Sequence, residues 1–257
     1  MSEQFQLLSP ADGAPLTIEN AKGRSAVLLV CEHASRKLPT SLGTLGLSTE
    51  ALDAHIAWDP GALAVARRVS SLLDATLIFQ NFSRLAYDCN RPPEAADAMP
   101  EISEIFEIPG NRGISSAERQ ARVDEIYRPF QQALAQVVKA RSDAGRDTVI
   151  VTVHSFTPVY RGVSRRVEVG ILHDRDTRLA DQMLALAGQS QEFVMGRNQP
   201  YGPEDGVTHT LKEHGLANGL MNVMIEVRND LIKDETGQGV MAGFLAGLIS
   251  ESLTVPA

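Results

Sequence analysis

Runs of apolar, largely β-branched residues recur along the chain, and each stops at a cluster of polar or charged residues. The stretches "AVLLVCEH" (26–33), "ATLIFQNF" (75–82), "TVIVTVHSF" (148–156), "VEVGILHD" (167–174) and "NVMIEVRND" (222–230) read as strands, mostly buried on both faces. Between them the apolar spacing changes to a helical period. Residues 59–73 carry one such pattern. Residues 115–143 carry the clearest, opening with the capping box Ser115-x-x-Glu118 and repeating apolar positions at Val123, Ile126, Tyr127, Phe130, Leu134 and Val137. Pro129 removes a backbone donor inside that pattern, so a kink is expected there. Further helices are predicted at 176–188, 206–217 and 238–252, and the stretch 90–113, rich in Pro, Gly and acids, is predicted to be a long loop. Strands alternating with helices predict a three-layer α/β/α sandwich around a mostly parallel mixed sheet, in one domain spanning 1–257.

Composition narrows the ligand. The chain has 257 residues, 43% apolar and 22% charged, which suffices for a substantial core. A net charge of -8 and a pI near 5.3 argue against nucleic acid or an anionic membrane as partner, while a local basic pocket for an acidic small molecule remains compatible. The N-terminus lacks a basic segment followed by an apolar core, and no apolar run approaches the roughly 18 residues of a membrane span, so a soluble cytoplasmic protein is expected. Cys31 and Cys89 provide neither a disulfide framework nor a CxxC thiolate site; any metal must be held by histidine and carboxylate. Oligomeric state is open.

In open α/β sheets ligands bind beyond the carboxyl ends of the strands, so the polar residues that end each strand are the first candidates. The first strand ends in Cys31-Glu32-His33. The second leads into "SRLAYDCNRP", with Arg84, Asp88, Asn90 and Arg91; the third ends in His154; the last ends in Glu226-Val227-Arg228. Asp59, before Pro60, belongs with them as a carboxylate that either caps a helix or faces the same pocket. Taken singly, each has an ordinary structural explanation: a hydrogen-bonded histidine, a helix cap, a Glu226–Arg228 ion pair on one strand face, turn chemistry at Asn90-Arg91-Pro92. Taken together, five segments place ionisable groups at one sheet edge, and burying them without partners costs several kcal/mol each. A metal and an anionic ligand would supply partners. Arg165 and Arg166 are weaker candidates for anion contact, and Cys31 near His33 is a weaker nucleophile candidate. No phosphate-binding glycine motif follows a strand.

The ordered set resembles the zinc carboxypeptidases, which carry a first histidine within H-x-x-E, an N-R pair often written D-x-N-R, a second histidine in H-S and a late E-x-R. Here these are His33, Asp88-Cys89-Asn90-Arg91, His154-Ser155 and Glu226-Val227-Arg228. The chain resembles the N-formylglutamate amidohydrolase family more closely, through "CEHASRKLP", "HIAWDPGA", "FSRLAYDCNRPP", "VHSF" and "MIEVRND", across residues 25 to 250. The resemblance implies a zinc carboxypeptidase-like, phosphorylase/hydrolase-like fold and a Zn²⁺, or another divalent metal, held by His33, His154 and a carboxylate. Arg36 stands where H-x-x-E would place the acid, so that ligand comes from elsewhere; Asp59 is the first choice and Glu32 the alternative. Glu226 is implied as general base and proton shuttle, and Asn90 and Arg91, with Arg84 or Arg228, as the grip on a substrate carboxylate. The implied reaction cleaves N-formyl-L-glutamate, or a similar N-acyl amino acid, to formate and L-glutamate. A zinc peptidase or amidase of other specificity, a non-catalytic carboxylate-binding protein and a cysteine hydrolase built on Cys31 are the alternatives.

Overall fold

The computed structural model describes residues 5–190 and 192–254. Its strands in chain order are β1 (Leu16–Glu19), β2 (Val27–Cys31), β3 (Thr76–Gln80), β4 (Ile102–Ser103), β5 (Phe106–Glu107), β6 (Val149–Phe156), β7 (Val159–Tyr160), β8 (Val163–Ser164), β9 (Val169–Leu172), β10 (Met195–Arg197) and β11 (Asn222–Arg228). The helices are α1 (Thr49–Asp53), α2 (Ala62–Leu73), α3 (Ser116–Arg122), α4 (Arg128–Asp143), α5 (Arg178–Ser190) and α6 (Glu235–Ser252).

Seven strands form one mixed sheet in the order β1-β3-β2-β6-β11-β9-β10. The central four, β3, β2, β6 and β11, run parallel; β1 lies antiparallel to β3 at one edge, and the parallel pair β9–β10 runs antiparallel to β11 at the other. The central strands are buried along almost their whole length because both faces are covered. Alternate residues feed two cores. Leu29, Val151, Val153 and Ile225 pack with Val65 and Val69 of α2, Met183 of α5 and Leu245 of α6. Leu28, Val30, Ile150 and Met224 face the other way, onto Phe130, Leu134 and Val138 of α4. The expected three-layer α/β/α sandwich is therefore present.

Several boundaries differ from the sequence pattern. The edge strands β1 and β10 are too short to show an alternation, and both lie outside the predicted strands. The helix predicted from residue 59 begins at Ala62, after a turn in which Gly61 adopts φ 81°. A Cβ there would stand 2.5 Å from the carbonyl oxygen of Ile232, so glycine is required both for the backbone conformation and for the close approach. Pro129 is accommodated by a π-helical turn over Val123–Tyr127, between α3 and α4, which absorbs the missing donor. The helix predicted over 206–217 starts only at residue 209 and is irregular, a π turn at Leu211–Gly215 running into a 3₁₀ turn at Leu216–Asn218. The stretch 90–113 is mainly irregular but contains the β4–β5 hairpin. No helix among the described residues is long and apolar enough to cross a membrane.

Candidate active site

Because β2, β3, β6 and β11 are parallel, the polar segments at their carboxyl ends emerge at one edge of the sheet. His33 lies just beyond β2, and His154 lies within β6, directly beside Glu226 of β11 in the strand register. Asp59 sits in the turn before α2. Its amide donates to the His33 carbonyl at 2.9 Å, and its Oδ2 accepts from the Ser155 amide at 3.2 Å, which ties the turn to both histidine segments.

The three side chains are buried and mutually close. His33 Nδ1 and His154 Nδ1 are 3.2 Å apart, and Asp59 Oδ2 lies 3.3 Å from the first and 2.9 Å from the second. Ligand bonds of 2.0–2.1 Å in a tetrahedron put donor atoms about 3.3–3.4 Å apart, so this triangle fits a divalent ion with an open position. The chemistry agrees: two imidazole nitrogens and a carboxylate oxygen converging on one point are the donor set of a divalent ion. The nitrogens facing away are backed by acids. Asp88 Oδ1 lies 2.7 Å from His33 Nε2, and Glu32 Oε2 lies 3.1 Å from His154 Nε2. Such carboxylates hold an imidazole in the tautomer that presents its other nitrogen to a metal. Glu32, the alternative ligand, thus stands behind His154 rather than inside the triangle.

The electrostatics follow from burial and pairing. Burial opposes charge on Asp59, yet His33 and His154 hold its pKa well below the usual carboxylate range. Asp88 is likewise pushed up by burial but brought far down by His33 and by Arg84, whose Nη2 donates to it at 2.9 Å. Burial works against a charged His154, but Glu32 and Asp59 raise its pKa well above the ordinary value. Glu226 behaves differently. Burial dominates, and its pKa is pushed up to about 7; Oε2 has no hydrogen-bond partner among the described residues. A buried carboxyl poised near neutrality, facing a triad of metal-type donors, is suited to taking and returning a proton.

These groups open onto a cavity of about 350 Å³ lined by His33, Asp59, Arg84, Asp88 and Glu226, with Tyr201 on its wall. Asn90 and Arg91 also border it, but their polar atoms are engaged. Asn90 Nδ2 donates to the Val207 carbonyl at 2.5 Å, and its Oδ1 accepts from the Thr210 amide at 3.0 Å. Arg91 Nε pairs with Asp97 at 2.7 Å while Nη1 donates to the carbonyls of Asn90 and Gly206, each at 3.0 Å. Arg228 departs from its expected place: it is not among the cavity-lining residues, and as the last residue of β11 it pairs with Asp230 at 2.8 Å and Glu168 at 3.4 Å. Cys31 is buried in the core below the sheet edge, and burial, with Asp59 and Glu32 nearby, raises its thiol pKa far above the usual value, which removes the thiolate a cysteine hydrolase needs. The cavity also contains His55, paired with Glu104 at 3.0 Å, and an aromatic wall of Phe156, Tyr160 and Tyr201, of which Tyr160 and Tyr201 lie outside every quoted segment. Tyr160 and Tyr201 reach the site from a hairpin and a loop whose courses leave no periodic signal.

A family model described as N-formylglutamate amidohydrolase matches residues 25–233, a span that contains every residue of the triad and its backing acids. The chain belongs to the N-formylglutamate amidohydrolase family. That is a family of hydrolases acting on an amide bond. Among solved structures, a gene product of Agrobacterium tumefaciens is 55% identical, with 97% of this chain and 98% of that one aligned at a TM-score of 0.95. An N-formylglutamate amidohydrolase from Ralstonia eutropha JMP134 shares the fold at 20% identity, with 94% and 98% of the two chains covered and a TM-score of 0.60. No curated protein matches the chain.

Proposed function

We propose that this member of the amidohydrolase family is a metal-dependent hydrolase that cleaves N-formyl-L-glutamate, or a close N-acyl amino acid, to formate and L-glutamate. His33, His154 and Asp59 hold the metal, for which Zn²⁺ is the best match to a two-imidazole, one-carboxylate donor set. When bound, such an ion supplies Lewis-acid activation of the amide carbonyl and of water.

The chain's own residues do the rest. Asp88 fixes the His33 imidazole, and Glu32 supplies negative charge 3.1 Å behind His154 Nε2. Glu226 takes a proton from the attacking water and delivers it to the departing amine nitrogen as the C–N bond breaks; its pKa near neutrality suits both transfers. Arg84, shared between Asp59 and Asp88, helps to keep Asp88 ionised and borders the cavity where an acyl amino acid would lie. The cavity volume falls at the small end of ligand sites, which run from about 300 to 1,000 Å³, and so favours a single acyl amino acid over a peptide.

The observation that carries this reading is the closed triangle of His33, His154 and Asp59, with Glu226 beside His154 in the strand register and lining the same cavity as His33 and Asp59. Its test is formate or amine release by zinc-loaded protein from N-formyl-L-glutamate, N-acetyl-L-glutamate and dipeptides. Highest kcat/KM on the formyl substrate is expected. A preference for dipeptides would replace this reading with that of a peptidase.

A further inference from the structure

Two short hairpins form part of the cavity wall. β4–β5 and β7–β8 bring Ser103, Glu104, Tyr160 and Arg161 to its lining, while Ile105, Val159 and Val163 of the same hairpins are exposed. This part of the wall is therefore one ladder thick, with the cavity on one side and solvent on the other. Each of its strands is two residues long, too little for a hairpin to hold its place by its own ladder.

The two tips are joined through one side chain. Glu104 Oε1 accepts from the Arg161 amide at 3.1 Å, and Glu104 Oε2 lies 3.0 Å from His55 Nε2. Three segments distant in sequence thus meet on a single carboxylate: the first hairpin, the second hairpin and the turn that runs from His55 to Asp59. Although Glu104 sits at a hairpin tip, its side chain is only 12% exposed, whereas its neighbour Ile105 is 75% exposed. The carboxylate is turned inwards, onto its partners.

The backbone at the joint is strained on both sides. Glu104 and Arg161 are each the first residue of a two-residue loop, with φ 54° and 49°. That left-handed region suits Gly, Asn or Asp at such positions and is costly for a longer side chain. Residues held there persist where surrounding contacts over-determine them, as in clamps and switch regions. Here the two strained residues are the ones that bond to each other.

We propose that Glu104 is the latch of a gate: bonded to Arg161 and His55 it holds the two hairpins closed over the reacting groups, and its release opens the cavity to substrate and product. Glu104 is a positioning residue, acting through the hairpins and not on the reacting atoms. The latch stands on the hairpin geometry alone, while its part in turnover rests on the hydrolase reading above. Closure excludes bulk water from the triad and Glu226 and retains a small substrate through the reaction.

Amide hydrogen exchange of the full chain, followed by NMR with Zn²⁺ supplied, reads the latch without substrate. The Arg161 amide is expected to be protected by ~10–100-fold, far less than the amides of β6, because a gate opens without global unfolding. Glu104→Ala, and Glu104→Asp with a carboxylate one methylene short of its partners, are expected to remove most of that protection and leave β6 unchanged. An Arg161 amide that is unprotected in the wild type, protected as strongly as β6, or unaffected by both replacements overturns the latch.

Kinetics with N-formyl-L-glutamate reads its use. Glu104→Ala is expected to raise KM by ~10-fold with zinc content unaltered, and Glu104→Asp to act in the same direction, since an unlatched wall no longer retains substrate. Constants within about twofold of wild type, alongside lost Arg161 protection, overturn the gating role, as does a rise in KM accompanied by lost zinc. If the wild type does not hydrolyse this substrate, the hydrolase reading fails and exchange alone decides the latch.

Discussion

The imidazoles of His33 and His154 meet Nδ1 to Nδ1 at 3.2 Å, with the rings crossed at 72° and the Asp59 carboxylate closing the triangle. Without a cation between them, two such nitrogens and a buried acid are poorly matched. The wild-type protein is therefore expected to bind about one equivalent of Zn²⁺, and His33→Ala, Asp59→Ala and His154→Ala to weaken binding by more than ~100-fold. Metal titration with elemental analysis reads this directly. Thermal unfolding gives an independent check, since Zn²⁺ should raise the wild-type Tm in a concentration-dependent way and leave those variants unmoved.

Glu226 is buried but has no fixed partner on Oε2, so its replacement by glutamine keeps the shape and removes the base. Glu226→Gln is expected to lower kcat by ~10²–10⁴-fold while retaining the metal. In the metal-free protein its pKa is about 7, and a neighbouring cation favours the ionised form. The base is active when ionised. Activity should thus rise with pH along a limb at or below about 7, and that limb should be absent from the residual activity of Glu226→Gln.

Asn90 and Arg91 bind chain rather than empty space. Asn90 satisfies the Val207 carbonyl and the Thr210 amide, and removing it leaves both backbone groups unpaired at a buried position. Asn90→Ala should destabilise the fold by ~1–3 kcal/mol, measured by urea unfolding of the metal-free protein. Arg91→Lys cannot reproduce the simultaneous bonds to Asp97, Asn90 and Gly206, and a lowered Tm is expected from it. A large rise in KM with unchanged Tm would return Arg91 to substrate binding.

His214 provides a pH signature outside the triad. It is buried, its Nε2 lies 2.6 Å from Gln131 Oε1, and burial depresses its pKa to about 4 from 6.5. Between those values the unfolded chain holds the proton that the folded protein refuses. Stability is therefore full above pH 6.5 and falls as the pH drops towards 4, by up to ~1.4 kcal/mol per pH unit from this group. His214→Gln should flatten that slope in unfolding measurements on the metal-free protein. An unchanged slope would assign the pH dependence to other groups, such as His209, whose pKa burial also lowers.

Much of this architecture could be read from the sequence because it depends on period and order. The central strands are long enough to show continuous apolar runs, and parallel pairing then carries His33, Asp59, His154 and Glu226 to one edge. Asp59 over Glu32 was the reading that geometry favours, although no spacing rule distinguishes a carboxylate inside the triangle from one behind an imidazole. Direction was less legible. Nothing in "VEVGILHD" marks β9 as antiparallel to β11, and β1 and β10 are too brief for a pattern. Arg228 shows the limit of side-chain alternation: two residues after Glu226 it should share a face, but at the strand's end it turns towards Glu168 and Asp230. Partners of that kind depend on what a loop brings past, which periodicity does not encode.

The reversal at β9 has an architectural consequence. Since β9 runs opposite to β6, the chain that leaves the sheet at Phe156 re-enters it at Val169 on the same rim, with the β7–β8 hairpin as the whole excursion. Both anchorage points belong to buried strands of the sheet, so the excursion is tied down at its two ends. The hairpin brings Tyr160 and Arg161 to the cavity while the donor triangle sits on the core strands and the turn before α2, so wall and triangle come from separate stretches of one polypeptide.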